Sequence, residues 1–260
     1  MRVGYVQTSP AFGQKHANFK EVESLLDGVR ADLIVLPELF ATGYTFASHE
    51  EVEQLAEETD GETSRFLIEM ANQIGGAVVA GFAEREGKRY FNSAVMVDSG
   101  GIMGSYRKIH LFNKEKQWFS PGDRALEVYD VRGAKVGMMI CFDWIFPETA
   151  RTLALRGAEV IAHPVNLVLP YCQEAMKTRC IENRIYAVTA NRIGTEQRGE
   201  DNFSFTGASQ ITSTTGEVLS SAPKDAAHRD TADIDLTKAR QKNINSFNHL
   251  LNDRRPELYW

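Results

Sequence analysis

The chain has 260 residues, 43% of them hydrophobic and 25% charged, the balance of a globular protein rather than a disordered, collagenous or disulfide-scaffolded one. A net charge of −6 offers no basic field to nucleic acid phosphates or an anionic membrane surface, so neither is an expected partner. Three cysteines, Cys141, Cys172 and Cys180, are an odd number, so one thiol at least is free within the monomer. The set suits a reducing, cytoplasmic setting.

In chain order, Arg2 to Gln7 alternates as an opening strand rather than as a signal peptide. Phe19, Val22, Leu25, Leu26 and Val29 then recur at helical spacing over about 17–29. Asp32 to Leu36 is a short apolar strand stopped by Pro37, which cannot donate to a ladder. Glu50 to Ala56 and Ser64 to Ile74 read as helices, the second ended by Gly75-Gly76, and Ala77 to Phe82 as a buried strand. A hairpin joins Phe91–Val97 to Ile102–Arg107 across Asp98-Ser99-Gly100-Gly101, and another joins Leu126–Asp130 to Lys135–Ile140. Pro147 suits the first turn of a helix that runs to about Arg156. Strand Glu159–His163, helix Glu174–Arg184, strand Tyr186–Asn191 and a hairpin of Gln210–Ser213 with Glu217–Ser220 complete the pattern.

Helices alternating with strands, with hairpins among them, predict a layered α/β fold with mixed sheets. No linker composition divides the chain, so one domain over 1–260 is expected. The weakly periodic segment 236–260, ending Tyr259-Trp260, reads either as a loose end or as an arm packed on a partner subunit. The longest apolar runs fall far short of the roughly 18 residues of a membrane helix.

Three positions could carry chemistry. Cys141 ends the apolar run from Val136 and precedes the Pro147 helix, which places a nucleophile candidate near a helix N-terminus that favours the thiolate. The plainer reading is a small buried hydrophobe. Glu38, between Pro37 and Leu39, follows a buried strand, where desolvation would raise its pKa toward that of a general base. Lys108 follows a strand and could bring a compact cation to an oxyanion, although a surface lysine is the commoner case. His163 has no second ligand at metal spacing, and no GxGxxG or Walker loop is present, so neither a metal nor a nucleotide cofactor is expected. Cys172 and Cys180, eight apart on one helix face and too far apart for a disulfide within one helix, are read as core or semi-buried thiols. Arg179, Glu182 and Asn183 are read as a buried polar network rather than as catalytic groups.

Taken in order, Pro37-Glu38-Leu39-Phe40 with Gly43-Tyr44, Arg107-Lys108-Ile109-His110-Leu111, and Cys141-Phe142-Asp143-Trp144 with Pro147-Glu148 resemble the nitrilase superfamily of carbon–nitrogen hydrolases. Arg179, Glu182, Asn183 and Tyr186, then Ala190-Asn191-Arg192-Ile193-Gly194 and Phe205-Thr206-Gly207-Ala208-Ser209, extend the match to about Ser220. The resemblance implies a four-layer αββα sandwich that dimerises, and a Glu-Lys-Cys triad carried by Glu38, Lys108 and Cys141. Glu115, ahead of Trp118-Phe119 and Pro121-Gly122, resembles a further glutamate of the family's site. Phe142, whose backbone N–H would face the oxyanion, is a candidate binding residue together with Tyr44, Trp118, Trp144 and Asn166; Phe91 and Phe119 are further candidates for pocket walls. After Cys141 the chain lacks the arginine pair that carbamoylase-like members use for a substrate carboxylate, and it looks closest to small bacterial and archaeal members. The expectation is hydrolysis of a small aliphatic amide, with a nitrile as the alternative and acyl transfer to an amine behind both.

Overall fold

The computed structural model describes residues 1–259; Trp260 lies outside the described residues. The first half carries strands β1 (Arg2–Gln7), β2 (Leu33–Val35), β3 (Ala77–Glu86), β4 (Arg89–Asp98) and β5 (Gly101–Arg107). Its helices are α1 (Lys15–Leu26), α2 (His49–Leu55), α3 (Glu62–Ile74) and the single turn α4 (Glu115–Trp118). There follow β6 (Val128–Val131), β7 (Ala134–Met138), α5 (Pro147–Leu155), β8 (Val160–Pro164), α6 (Cys172–Asn183) and β9 (Tyr186–Ala190). The chain closes with β10 (Thr195–Arg198), β11 (Asp201–Ser204), β12 (Gln210–Thr212), β13 (Val218–Ser221), β14 (His228–Asp233) and α7 (Leu236–Arg240).

Two six-stranded mixed sheets result, ordered β14-β1-β2-β3-β4-β5 and β13-β12-β9-β8-β7-β6. Each has a parallel centre, β1-β2-β3 in one and β7-β8-β9 in the other, flanked by antiparallel strands. Side chains alternate across the first sheet as strand geometry requires. Ile34, Leu36, Val78 and Ala80 join Phe19, Val22 and Leu26 of α1 and Leu67, Met70 and Ile74 of α3. Their neighbours Leu33, Val35, Ala77 and Val79 join a second cluster with Val136, Met138, Ala162 and Val188 of the other sheet, which continues to Leu153 of α5 and Met176 and Cys180 of α6. The layers are therefore helix, sheet, sheet, helix.

Local signals account for most boundaries. Gly75 caps α3 in the left-handed region (φ 74°) and donates to Ala71 O, a conformation glycine adopts without a Cβ clash. Pro147 opens α5 as expected. The β10–β11 hairpin and β14 carry no clear sequence signal because most of their side chains face solvent, leaving no apolar alternation to read. β14 is an edge strand, held by pairing to β1 over Arg2–Gln7. Strand β3 continues past Phe82 to Glu86 because its polar end pairs with β4 and its Glu84 is buried.

Segment 236–259 folds back on its own chain: Arg240 pairs with Glu159, and Lys242 Nζ donates to the carbonyls of Asn183 (2.9 Å) and Arg184 (2.8 Å) at the end of α6. Among the described residues no helix is long and apolar enough to cross a membrane.

One close approach matters for the site. A Cβ on Gly81 of β3 would stand 2.5 Å from Glu38 Cα and 2.8 Å from Leu39 N, too close for backbone that cannot swing away. Gly81→Ala should therefore displace the Glu38 turn, costing about 1–3 kcal/mol in denaturant unfolding. An unchanged unfolding free energy would show that the turn tolerates the shift.

Candidate active site

Glu38 sits in the turn after β2, where Gly81 N donates to Pro37 O (3.1 Å) and Leu39 takes φ 50°, a strained value for leucine. The carboxylate is wholly buried. Its Oε1 accepts from Asn92 Nδ2 (2.7 Å) and Lys108 Nζ (2.7 Å); Oε2 is buried with no hydrogen-bond partner. Burial pushes the Glu38 carboxyl up; Lys108 opposes that, and the Glu115 carboxylate adds to it.

Lys108 follows β5. Its N–H donates to Asn92 O (2.8 Å) and its carbonyl accepts from Gly122 N (2.9 Å). Its neighbour Arg107 is buried against Glu84 (2.6 Å) and reaches Glu86 (2.8 Å) and Asp123 (2.9 Å). The Arg107 guanidinium lies 3.8 Å from the Phe91 ring centroid. Phe91 is thus a platform beneath Arg107 rather than a pocket wall, and Phe119 packs edge-on against Phe46 at 5.6 Å, also away from the thiol's cleft. The Lys108 ammonium bridges Glu38 and Glu115 Oε1 (2.8 Å). Burial alone would pull Lys108 down, but the Glu115 and Glu38 carboxylates override it and hold the ammonium charged. Glu115, the first residue of α4, also accepts from Tyr44 OH at Oε1 (2.7 Å) and from Phe112 N at Oε2 (3.2 Å).

Cys141 lies beyond β7 at φ 41° and opens a 3-10 turn, Cys141–Ile145. Several groups hold this strained turn. Asp143 accepts from Ile140 N (2.8 Å), Tyr106 OH (2.7 Å) and His110 Nδ1 (2.7 Å). His163 Nε2 donates to Cys141 O (3.1 Å) while its Nδ1 accepts from Thr189 Oγ1 (3.2 Å), which sets the neutral tautomer. Arg179 donates to the carbonyls of Trp144 (3.2 Å) and Ile145 (3.5 Å) and pairs with Glu182 (3.0 Å). Sγ lies 3.7 Å from Asn166 O. Burial pushes the Cys141 thiol well up, the Glu38 carboxylate pushes the same way, and Lys108 opposes. The dry, acidic surroundings thus oppose the thiolate that a helix N-terminus would favour.

Phe142, Trp144 and Asn166 line a narrow cleft with Cys141, closed by Phe112, Leu167, Val168 and Leu169. Tyr44 and Trp118 line a separate recess beside Glu115, with Phe203. A larger cavity of about 490 Å³ includes Tyr186, Thr214, Asp235 and Lys238, at the N-terminal end of β9 and away from this charged cluster. Cys172 and Cys180 are buried in the core. Among the described residues no group of three His, Cys, Asp or Glu side chains is arranged to hold a metal.

The structure thus brings Glu38, Lys108, Glu115 and Cys141 to one buried point beyond the C-terminal ends of the strands. Asn92, Asp143 and His163 were not legible as members of the site. Asn92 lies within an apolar strand pattern, and the other two act through hydrogen bonds between segments that sequence spacing does not reveal.

Residues 2–243 match the family model described as carbon-nitrogen hydrolase. A protein of Pyrococcus abyssi named nitrilase is 48% identical over 100% of this chain and 99% of its own length. An (R)-stereoselective amidase of a Pseudomonas species is 39% identical over 86% of this chain and 80% of its own. A solved carbon-nitrogen hydrolase from Helicobacter pylori G27 superposes with a TM-score of 0.88 at 26% identity, covering 100% of this chain and 96% of that one.

His163 supplies a pH test. Burial pushes its imidazole down to about 4 from 6.5, the Cys141 carbonyl opposing. Its folded pKa lies below the unfolded one, so the unfolded chain binds the extra proton between about pH 6.5 and 4 and stability falls as pH drops through that window. Urea unfolding of the wild type and His163→Gln should differ in their loss between pH 7 and 4 by about 3 kcal/mol. Parallel pH profiles would contradict a neutral, buried His163.

Proposed function

The chain belongs to the carbon-nitrogen hydrolase family, and from that membership we propose that it hydrolyses a small, uncharged aliphatic amide to carboxylate and ammonia through a thioester on Cys141. The observation that carries this reading is the divided Glu38 carboxylate. Oε1 is held by Asn92 and Lys108 while Oε2 is buried and unpaired, which leaves one oxygen to take a proton. A buried base with a raised pKa beside a resting thiol suits general base catalysis at neutral pH.

In this reading substrate binds at the cleft of Phe142, Trp144 and Asn166, whose other walls are apolar, a lining whose chemistry suits an uncharged acyl group and offers no cation to a carboxylate. Glu38 Oε2 removes the Sγ proton as sulfur bonds to the carbonyl carbon, and the C=O electron pair moves to oxygen. Two of the three Lys108 N–H groups are committed to Glu38 and Glu115; the third, with the Phe142 backbone N–H, donates to that oxyanion. Collapse breaks the C–N bond, the electron pair leaves with nitrogen, and Glu38 returns its proton so that ammonia departs. Glu38 next deprotonates water, which attacks the thioester; the C–S bond breaks and sulfur regains the proton. Glu115, fixed by Tyr44 OH, orients Lys108.

A nitrile, attacked to give a thioimidate, is the second reading, favoured by the full-length Pyrococcus abyssi relative named nitrilase. We further take the protein to be a single cytoplasmic domain that acts as a homodimer, with 236–260 at the interface. Exposed Leu155 of α5, Ile181 of α6 and Phe247 of the tail are apolar surface for a second copy to cover.

Ammonia release from propionamide and from a small dinitrile decides between the substrates: the amide should be the better one, and turnover of the nitrile alone would reverse the order. Cys141→Ala should release no ammonia from either. Lys108→Gln should lose at least about 10²-fold in kcat, the scale of an oxyanion donor. Retained activity in Cys141→Ala would exclude the thioester route.

A further inference from the structure

The polar atoms around Cys141 are out of balance. Glu38 Oε2 and Asn166 Oδ1 are buried acceptors with no partner, and the rest of the cleft that Asn166 shares with Cys141 is apolar. Asn166 Nδ2 donates to Glu38 O (2.8 Å). That carbonyl can only accept, so the side-chain amide has one allowed orientation and Oδ1 points away from Glu38. Asn166 O meanwhile stands 3.7 Å from Cys141 Sγ, which fixes this residue beside the point of attack. Asn92 Oδ1 is also unpaired, but Asn92 is not among the residues lining the thiol's cleft.

A buried acceptor without a donor is costly, and a ligand that supplies the missing N–H removes the cost. A primary amide brings two N–H donors on the atom that will leave. An ester of the same acid brings none there and proceeds through the same acyl-enzyme. We propose that Asn166 Oδ1 accepts an N–H of the substrate's leaving amide and makes Asn166 the residue by which this site selects amides over isosteric acyl compounds without that donor. The inference rests on the amidase reading above and adds a residue and a discrimination to it. The contact is present in the Michaelis complex and persists as nitrogen becomes tetrahedral, so it acts on acylation and leaves hydrolysis of the shared thioester unchanged.

The test compares kcat/KM for propionamide and methyl propionate in the wild type, Asn166→Ala and Asn166→Asp, with thermal unfolding recorded for each. The amide-to-ester ratio should fall about 10- to 100-fold in Asn166→Ala, because the amide loses a partner and the ester no longer strands one. Asn166→Asp keeps an acceptor, and its ratio should stay within about threefold of wild type even if both rates fall. That variant carries the test should the alanine variant not fold. Equal losses for amide and ester in Asn166→Ala would limit Asn166 to holding Glu38 and overturn the proposal, as would a collapse of the ratio in Asn166→Asp. A wild type that hydrolyses neither compound but does hydrolyse a nitrile would remove the amidase reading itself, a result visible before any variant is made.

Discussion

The site depends on one ammonium shared between two buried carboxylates. Lys108 Nζ lies 2.7 Å from Glu38 and 2.8 Å from Glu115, with almost no solvent at any of the three. Three ions out of water are tolerable only where geometry and further hydrogen bonds offset the desolvation. Asn92, Tyr44 and the Phe112 N–H supply those bonds. With both carboxylates ionised the trio carries one net negative charge, and its field opposes a second anion on Cys141. That field and the dry surroundings together hold the proton on Cys141 more tightly than water would.

Glu38 and Cys141 are held by strain and by clamps. Leu39 and Cys141 both occupy the left-handed region, at a cost of order 1–3 kcal/mol each. The parallel strand centres and a set of inter-segment bonds keep them there: Gly81 under the Glu38 turn, Asp143 and His163 around the Cys141 turn, and Arg179 at its far end. Arg107 does the same for Lys108 from the next position, because its side chain is tied to Glu84, Glu86 and Asp123. A second buried pair, Arg192 with Glu196, steadies the loop that carries Tyr44, since Glu196 accepts from Tyr44 N (3.1 Å) and Thr45 N (2.8 Å).

How much of this was legible in the sequence follows from what each residue does. Strands such as β2 and β3 and the cap at Gly75 announce themselves by burial periodicity and turn chemistry, whereas Glu38, Lys108 and Cys141, each with a plainer reading alone, stand out only through the ordered motifs that resemble the family. The β10–β11 hairpin and β14 are mostly solvated and show no period. Asn92 reads as one polar residue in a buried strand, and only the fold shows that its side chain holds Glu38 while its carbonyl holds Lys108. What opposes a Cys141 thiolate is hidden for a related reason. A helix N-terminus is visible in sequence, whereas burial of the thiol appears only in the fold and the Glu38 carboxylate comes from a segment about a hundred positions earlier.

The central claim is that Cys141 rests as a thiol and loses its proton to Glu38 only as substrate is attacked. The thiolate ultraviolet absorbance of the wild type minus Cys141→Ala, followed from neutral to alkaline pH, tests it most directly. No Cys141 thiolate band should develop until well above the ordinary cysteine range, and a full band at neutral pH would contradict the account.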